Sequence, residues 1–221
     1  MRLAKPFLDV GLYTNRAGDQ RAFWEGEVGL LYEELLRAGR GIHQHRLGLR
    51  GAVLKVNDAR DPLPTEPTCL RRLVVPHRER RSLADPDGLP VELDPEAARV
   101  RVVWASSDPN RLGTMLEEGF GATPRGDGVW QVGETDLEVR WAADAAHGAL
   151  RASGGMRYLT VQVFDVVAEH RRLLDAGWVE GTAPLRLGDV AAISFVRDFD
   201  GVHVEVSQRA SLTGPLPDSL P

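Results

Sequence analysis

The sequence predicts an α+β fold in which a strand, a helix and further short strands recur along the chain. Three segments, at residues 7–39, 100–119 and 158–177, begin with a short alternating strand and continue as a helix that ends at glycine. Short strands follow each helix, and no second helix is indicated. An Asp-x-Asp-Gly turn that starts a strand also occurs twice. Together these features are typical of sheets that carry helices on one side.

The composition restricts the class of protein. The chain has 221 residues, 43% of them hydrophobic, and a formal net charge of −5. Its single cysteine, Cys69, cannot close an internal disulfide, which predicts a reducing compartment. No apolar run approaches the roughly 20 residues of a membrane span, no signal peptide is indicated, and the acidic balance argues against a nucleic-acid groove. We therefore predict a cytoplasmic protein with neither membrane nor nucleic-acid partners.

The first predicted module opens with a strand at residues 7–14. A helix is predicted over residues 15–39 because apolar residues recur there at helical spacing. The buried face of this helix would contain Trp24, Val28, Leu31 and Leu35.

The two later helices have clearer ends. Asp108 before Pro109 is typical of an N-cap with proline at the first helical position, and Gly119 would end that helix. Asp165 would cap the third helix, which ends at Gly177. Short strands are predicted after the three helices, at residues 42–49, 52–57, 129–132, 137–141, 192–197 and 202–207.

The turn motif is an internal repeat. Residues 85–92 and 198–205 share Asp, Asp, Gly, Val and Glu at identical spacing. A tight turn explains the aspartates and the glycine, because the first carboxylate can accept turn amides and glycine tolerates the left-handed conformation. The turn does not explain Glu92 and Glu205, which lie on the strands that follow.

Strand alternation predicts where these glutamates point. In residues 202–207 the valines share one face, and His203, Glu205 and Ser207 share the other. The same division places Tyr158, Thr160, Gln162 and Phe164 on the polar face of their strand, and Asp9 and Glu92 on the polar faces of theirs. We expect the apolar faces to pack against helices and the polar faces to form a concave surface for a small ligand.

A strand, a helix and three strands, with an Asp-x-Asp-Gly-x-x-x-Glu turn opening the last strand, resemble the vicinal oxygen chelate superfamily. That superfamily includes glyoxalase I, bleomycin-resistance proteins and extradiol dioxygenases. The match is best at residues 156–208, and residues 98–145 resemble a degenerate copy. The resemblance implies repeated βαβββ modules that form curled mixed sheets with helices outside.

The module boundaries follow from this resemblance. Residues 1–95 would form an N-terminal module with a Pro-rich insertion near 58–80. The modules at 98–145 and 156–208 would pair within the chain, and residues 209–221 would form a C-terminal tail. Because three modules leave one unpaired, the first would pair with its counterpart in a second chain or be covered by the insertion, and we predict a homodimer.

In that superfamily, paired modules form a cup whose divalent metal is bound by His of first strands and Glu of last strands. Glu205 and Glu92 match the last-strand position, and Glu138 matches it more loosely. The first-strand positions hold Asp9, Arg101 and Tyr158, and Arg101 cannot be a ligand because guanidinium has no acceptor lone pair. The resemblance therefore leaves two alternatives open. Glu205, Glu92 and Asp9 bind Fe, Mn, Zn or Ni, or the cup has no metal and Arg101 next to Glu138 and Glu205 replaces its charge.

The chemistry of the cup has the same two alternatives. As a lyase or dioxygenase, the protein would use Glu205 and His203 as metal ligands or as an acid/base pair. As a binding protein of the antibiotic-resistance type, it would hold a small organic molecule without turnover. In both cases the predicted ligand contacts are Tyr158, Thr160, Gln162, Phe164 and Arg101.

Overall fold

The computed structural model describes residues 1–39 and 41–216. Its strands are β1 Asp9–Thr14, β2 Leu31–Gly39, β3 Ile42–Leu49, β4 Ala52–Ala59, β5 Leu70–Pro76, β6 Arg81–Ala84, β7 Pro90–Asp94, β8 Val100–Ser106, β9 Thr123–Gly126, β10 Val129–Val132, β11 Thr135–Trp141, β12 Met156–Gln162, β13 Val179–Leu187, β14 Ala191–Arg197 and β15 His203–Arg209. Its helices are α1 Ala17–Ala22, continued by a π-helical turn at Phe23–Glu27, then α2 Pro109–Phe120, α3 Val166–Asp175 and α4 Ala210–Thr213. None of these helices has the length and apolar character needed to cross a membrane.

The strands form two mixed sheets. The first sheet has eight strands in the order β13-β14-β15-β12-β1-β4-β3-β2, and the second has seven in the order β6-β7-β5-β8-β11-β10-β9. At the centre of the first sheet β1 pairs antiparallel with β12, and at the centre of the second β5 pairs antiparallel with β8. The predicted α+β class with repeated modules and curled mixed sheets is confirmed.

The topology corrects the number and the pairing of the modules. Four modules are present, and the second, β5–β7, has no helix between its first two strands. This is why the helix-based pattern missed it and interpreted residues 58–80 as an insertion, although β5 lies there. The segments 98–145 and 156–208 do not pair with each other. Segment 98–145 lies in the second sheet and 156–208 in the first, where it pairs with the first module.

The even module count also removes the reason for which a homodimer was predicted. The homodimer itself stays a prediction. In the predicted tail, Arg209 is the last residue of β15, Ala210–Thr213 form α4, and residues 214–216 follow the helix. Residues 217–221 lie outside the described part of the chain.

The predicted helix starts are confirmed for α2 and α3. Asp108 and Asp165 accept hydrogen bonds from backbone N–H groups of the first turns. The predicted helix over residues 15–39 is wrong, because only its first part is helical and Leu31–Gly39 is the edge strand β2. Leu31 is 79% exposed there, so the apolar spacing in this stretch does not mark a buried helical face.

The predicted faces of β1 and β15 are confirmed. The valines of β15 and Val10 and Leu12 of β1 belong to one large core, which also takes in residues of the second sheet and of α2 and α3. The repeated turns form as expected, with Gly88 at φ 89° and Gly201 at φ 93°. Asp85 Oδ1 accepts the N–H groups of Asp87 and Leu89, and Asp198 Oδ1 accepts that of Val202 at 2.7 Å.

Asp198 is the basis of a prediction about pH. Burial raises the pKa of its carboxyl from 3.8 to about 7. Between these values the folded protein holds a proton that the unfolded chain has released, so the free energy of unfolding falls as the pH rises. The variant Asp198→Asn lacks this dependence. Its free energy of unfolding minus that of the wild type should therefore rise by about 1 kcal/mol from pH 6 to pH 8. Urea denaturation of both proteins at both pH values measures the change. The same difference between variant and wild type at pH 6 and pH 8 would contradict the prediction.

Candidate functional site

Glu205 lies in the polar face of the first sheet, close to the central β1–β12 pair. Register places Glu205 of β15 beside Thr160 of β12, and Lys55 of β4 beside Gly11 of β1. Lys55 Nζ lies 2.6 Å from Glu205 Oε2 and 2.7 Å from Thr160 Oγ1. The Thr160 hydroxyl donates to the same carboxylate oxygen at 2.6 Å. These three side chains, the Lys55–Thr160–Glu205 cluster, are largely buried and satisfy one another.

One end of this concave face is filled by protein. Tyr158 packs at ring-centroid distances of 6.2 Å from Tyr13 and 5.9 Å from Phe195, and Leu63 and Leu150 of two connecting segments cover this group. Burial raises the pKa of Tyr158, which keeps its phenol protonated. Its hydroxyl oxygen accepts a hydrogen bond from Asn57 Nδ2 at 3.1 Å.

Arg157 fastens the two covering segments. Its guanidinium is fully buried and donates to the backbone oxygens of Glu66, Pro67 and Ala149 at 2.7 to 3.1 Å. These bonds hold residues 66–67 and 149 together over this end of the sheet. Tyr158 is therefore a wall between the polar cluster and a closed end.

The other end of the concave face is an open pocket of about 420 Å³. It lies between the end of β2 and the β13–β14 hairpin, so the curling of the sheet brings its two edge regions to opposite sides of one cavity. Leu36, Leu187, Val190 and Ile193 supply apolar wall. The charged lining consists of Arg37, Arg46, Lys55, Arg209 and Glu205. Four cations against one carboxylate give the lining an excess of positive charge, although Lys55 pairs with Glu205 and Arg46 pairs with Glu34 outside it.

A second cavity of about 340 Å³ adjoins the first, and Arg46, Gln162 and Arg209 line both. Asp9 lines the second cavity as a structural residue. Its carboxylate accepts from Lys5 Nζ at 2.7 Å, Val53 N–H at 2.9 Å and Gln162 Nε2 at 3.2 Å. Asp9 therefore has little coordination capacity left.

The side chains of the cup do not fit a divalent metal. Such a metal needs several oxygen or nitrogen donors converging on one point. Within residues 1–39 and 41–216 no three His, Cys, Asp or Glu side chains are grouped to hold one. The Lys55 ammonium already neutralises Glu205, and Asp9 is bound by three donors.

Two of the predicted site residues lie elsewhere. Glu92 and Arg101 belong to the second sheet, where Glu92 pairs with Arg72 at 3.2 Å and Arg101 with Glu138 at 3.1 Å. The structure thus contradicts the expected grouping of Asp9 and Glu92 at one metal, and it contradicts the expected pairing of Arg101 with Glu205. The first expectation assumed that residues 1–95 form one module, and the second assumed that the modules at 98–145 and 156–208 pair, but the sheets have neither arrangement. The metal set Glu205, Glu92 and Asp9 is not brought together.

Phe164 also lies away from the pocket. It follows β12, is 39% exposed, and has the Arg2 guanidinium 4.3 Å from its ring centroid. The polar face of β12 ends at Gln162, so the alternation that holds for Tyr158, Thr160 and Gln162 does not carry Phe164 into the cup.

His203 shares the polar face with Glu205 but lies towards the covered end. Its ring packs 5.9 Å from His147 and 6.5 Å from Phe195, and it does not line the open pocket. Burial lowers the pKa of His203 to about 4. The structure therefore makes His203 a neutral packed imidazole at neutral pH, and it shows no contact between His203 and Glu205.

Sequence reasoning missed the four cations of the pocket, which are Lys55 as the partner of Glu205, and Arg37, Arg46 and Arg209. One signal for Lys55 was available, because it lies on the last strand of its module as Glu205 does on the last strand of its own. Only the pairing of the first module with the fourth makes these two positions neighbours. The arginines had no comparable motif.

The arrangement of four modules in two sheets was compared with known proteins. Glyoxalase I from Zea mays superposes with a TM-score of 0.76 over 94% of this chain and 92% of its own, at 12% sequence identity. The chain has the vicinal oxygen chelate fold. The cppA protein from Streptococcus pneumoniae matches with a TM-score of 0.59 over 94% of this chain and all of its own, at 12% identity. No family model and no curated protein matches the sequence.

The vicinal oxygen chelate fold predicted from the turn repeat and the strand pattern is therefore confirmed. At 12% identity the likeness extends to the fold, and function has to be argued from the site. In this chain a lysine, a threonine and a glutamate occupy the floor of the cup formed by the first and fourth modules.

Proposed function

We propose that this protein binds a small organic molecule in the pocket of the first sheet and does so without a resident divalent metal. The observation that carries the proposal is the Lys55–Thr160–Glu205 cluster, with Lys55 and Glu205 lining an open pocket of about 420 Å³. A pocket of this size, with apolar walls and a few placed polar groups, is typical of a small-molecule site.

The lysine supports the metal-free form of the proposal. A metal at Glu205 would have to displace the ammonium that now lies 2.6 Å from the carboxylate, and it would then meet a cation at close range. The ammonium supplies the positive charge that a metal would bring. It also keeps one oxygen of Glu205 bonded, so that the pocket floor is rigid before a ligand arrives.

The proposal is tested by ligand screening in a chelator. We expect fragments of a mixed library to stabilise the wild-type protein against heat equally with and without EDTA, because no metal takes part. Ile193→Trp places a larger side chain in the apolar wall, which fills the pocket, and should abolish this thermal stabilisation. Val179→Trp, on the exposed part of β13, is the matched control and should retain them.

Two results would contradict this function. One is ligand binding that EDTA abolishes and that added Fe, Mn, Zn or Ni restores. The other is binding that Ile193→Trp leaves unchanged, which would place the ligand outside the pocket. Turnover of a bound fragment would replace the binding role by a catalytic one.

A further inference from the structure

Three polar side chains lie where the two cavities adjoin, and two of them are buried. Arg46, Gln162 and Arg209 line both the 420 Å³ pocket and the adjoining 340 Å³ cavity, so they lie between the two, and the two cavities together are called the groove below. Gln162 and Arg46 are buried, with exposures of 2% and 7%. Buried polar groups normally have hydrogen-bond partners, which makes an unpaired one here informative.

Gln162 presents an acceptor that no described residue satisfies. Its Nε2 donates to Asp9 Oδ2 at 3.2 Å, and this bond fixes the orientation of the amide, because the opposite flip would place two acceptors together. Its Oε1 is then buried without a hydrogen-bond partner among residues 1–39 and 41–216. A ligand with an N–H or O–H group would supply the missing donor.

Arg209 presents a guanidinium that no described carboxylate contacts directly. Within the described part of the chain its guanidinium makes neither a hydrogen bond nor an ion pair. Burial and the nearby Arg46 guanidinium lower the pKa of Arg209, and the carboxylates of Glu34, Asp9 and Glu205, which form no ion pair with it, act in the opposite direction. Arg46 is itself bound to Glu34 at 3.0 Å and to Gln44 at 3.3 Å. Two neighbouring guanidinium groups with one free of partners favour an anion between them.

We infer that the groove recognises an organic carboxylate that carries an N–H or O–H donor close to the carboxylate and an apolar substituent. Arg209, supported by Arg46, binds the carboxylate, and Gln162 Oε1 accepts from the donor. The apolar substituent extends into the pocket against Leu36, Leu187 and Ile193. This inference rests on the proposed function and specifies the chemical class of its ligand.

Three small probes separate the elements of this recognition. N-benzoylglycine carries the carboxylate, the N–H group and an apolar ring. O-benzoylglycolate replaces the N–H by an ester oxygen, and N-benzoylglycinamide replaces the carboxylate by a neutral amide. Titration calorimetry on the wild-type protein should give the tightest binding for N-benzoylglycine, with each analogue weaker by about tenfold or more.

Two variants assign each preference to its residue. Gln162→Met should remove the preference for N–H over ester oxygen and retain the preference for the carboxylate. Arg209→Gln should remove the preference for carboxylate over amide and retain that for N–H. Because the Arg209 side chain has no described partner, this variant should fold normally, and its thermal unfolding serves as the check.

The possible outcomes distinguish a failure of this inference from a failure of the proposed binding function. Equal binding of all three probes, or preferences that both variants retain, would overturn the inference. So would no binding of N-benzoylglycine at millimolar concentration. If library fragments still bind in the pocket in these cases, the proposed function stands and only the ligand class is wrong. If Ile193→Trp fails to affect any fragment, the function itself fails.

Discussion

The variant Lys55→Met is expected to unfold with a free energy about 3 kcal/mol lower than that of the wild type at pH 7. Lys55 and Glu205 are only 5% and 12% exposed, so the substitution leaves a carboxylate with little access to water and without its cation. The Thr160 hydroxyl continues to donate to Glu205 but cannot neutralise it. Urea denaturation followed by circular dichroism measures the difference.

A second variant shows whether the cost comes from the unpaired Glu205 charge or from the lost packing of the Lys55 side chain. In Lys55→Met/Glu205→Leu both charges are replaced by apolar groups of similar length, and most of the lost stability should return. Arg60→Met is the matched control, because Arg60 and Asp61 are 76% and 75% exposed and their ion pair should contribute little. If Lys55→Met costs no more than Arg60→Met, the cluster is not the buried charge pair described here.

The polar face of the first sheet could be predicted from local sequence because strand alternation has a fixed period. Valines at every second position of β15 placed Glu205 on the concave face, and the turn at Asp198 fixed where the strand begins. Thr160 and Gln162 followed from the same period in β12. These predictions needed only residues within a few positions of each other.

The composition of the site could not be predicted, because it depends on strand pairing across the chain. Lys55 and Glu205 are 2.6 Å apart only because β1 pairs with both β4 and β12. The helix-free second module hid the true module count, and an odd count suggested the wrong partners. Arg101 was consequently expected at Glu205, although Lys55 is the cation that lies there.

Edge strands explain the remaining errors. Leu31 and Leu35 of β2 are exposed because this strand has a neighbour on one side only, and apolar spacing alone cannot reveal that. Periodicity predicts which residues share a face, but it does not show that the face is covered in an edge strand.

Gly11→Ala is expected to lower the free energy of unfolding by about 3 kcal/mol. Gly11 lies in β1 at the centre of the first sheet, where the Tyr158 ring packs directly on its backbone. A methyl group at Gly11 would overlap the Cε1 and Cζ atoms of that ring. The ring cannot retreat easily, because Tyr13 and Phe195 pack against it and Asn57 bonds its hydroxyl.

Gly26→Ala is the control for the loss of a glycine as such. No atom lies within 4 Å of a Cβ at Gly26, and its φ is not in the left-handed region, so this variant should be neutral or slightly stabilising.

If overlap with the ring is the cause, Gly11→Ala should cost much less in a Tyr158→Ala background, where the removed ring makes room for the methyl group. Equal costs in both backgrounds would show that Gly11 is required by the backbone and not by Tyr158. A smaller cost in the Tyr158→Ala background would identify the close approach of β1 to this ring as the contact that holds the covered end of the cup in place beside the Lys55–Thr160–Glu205 cluster.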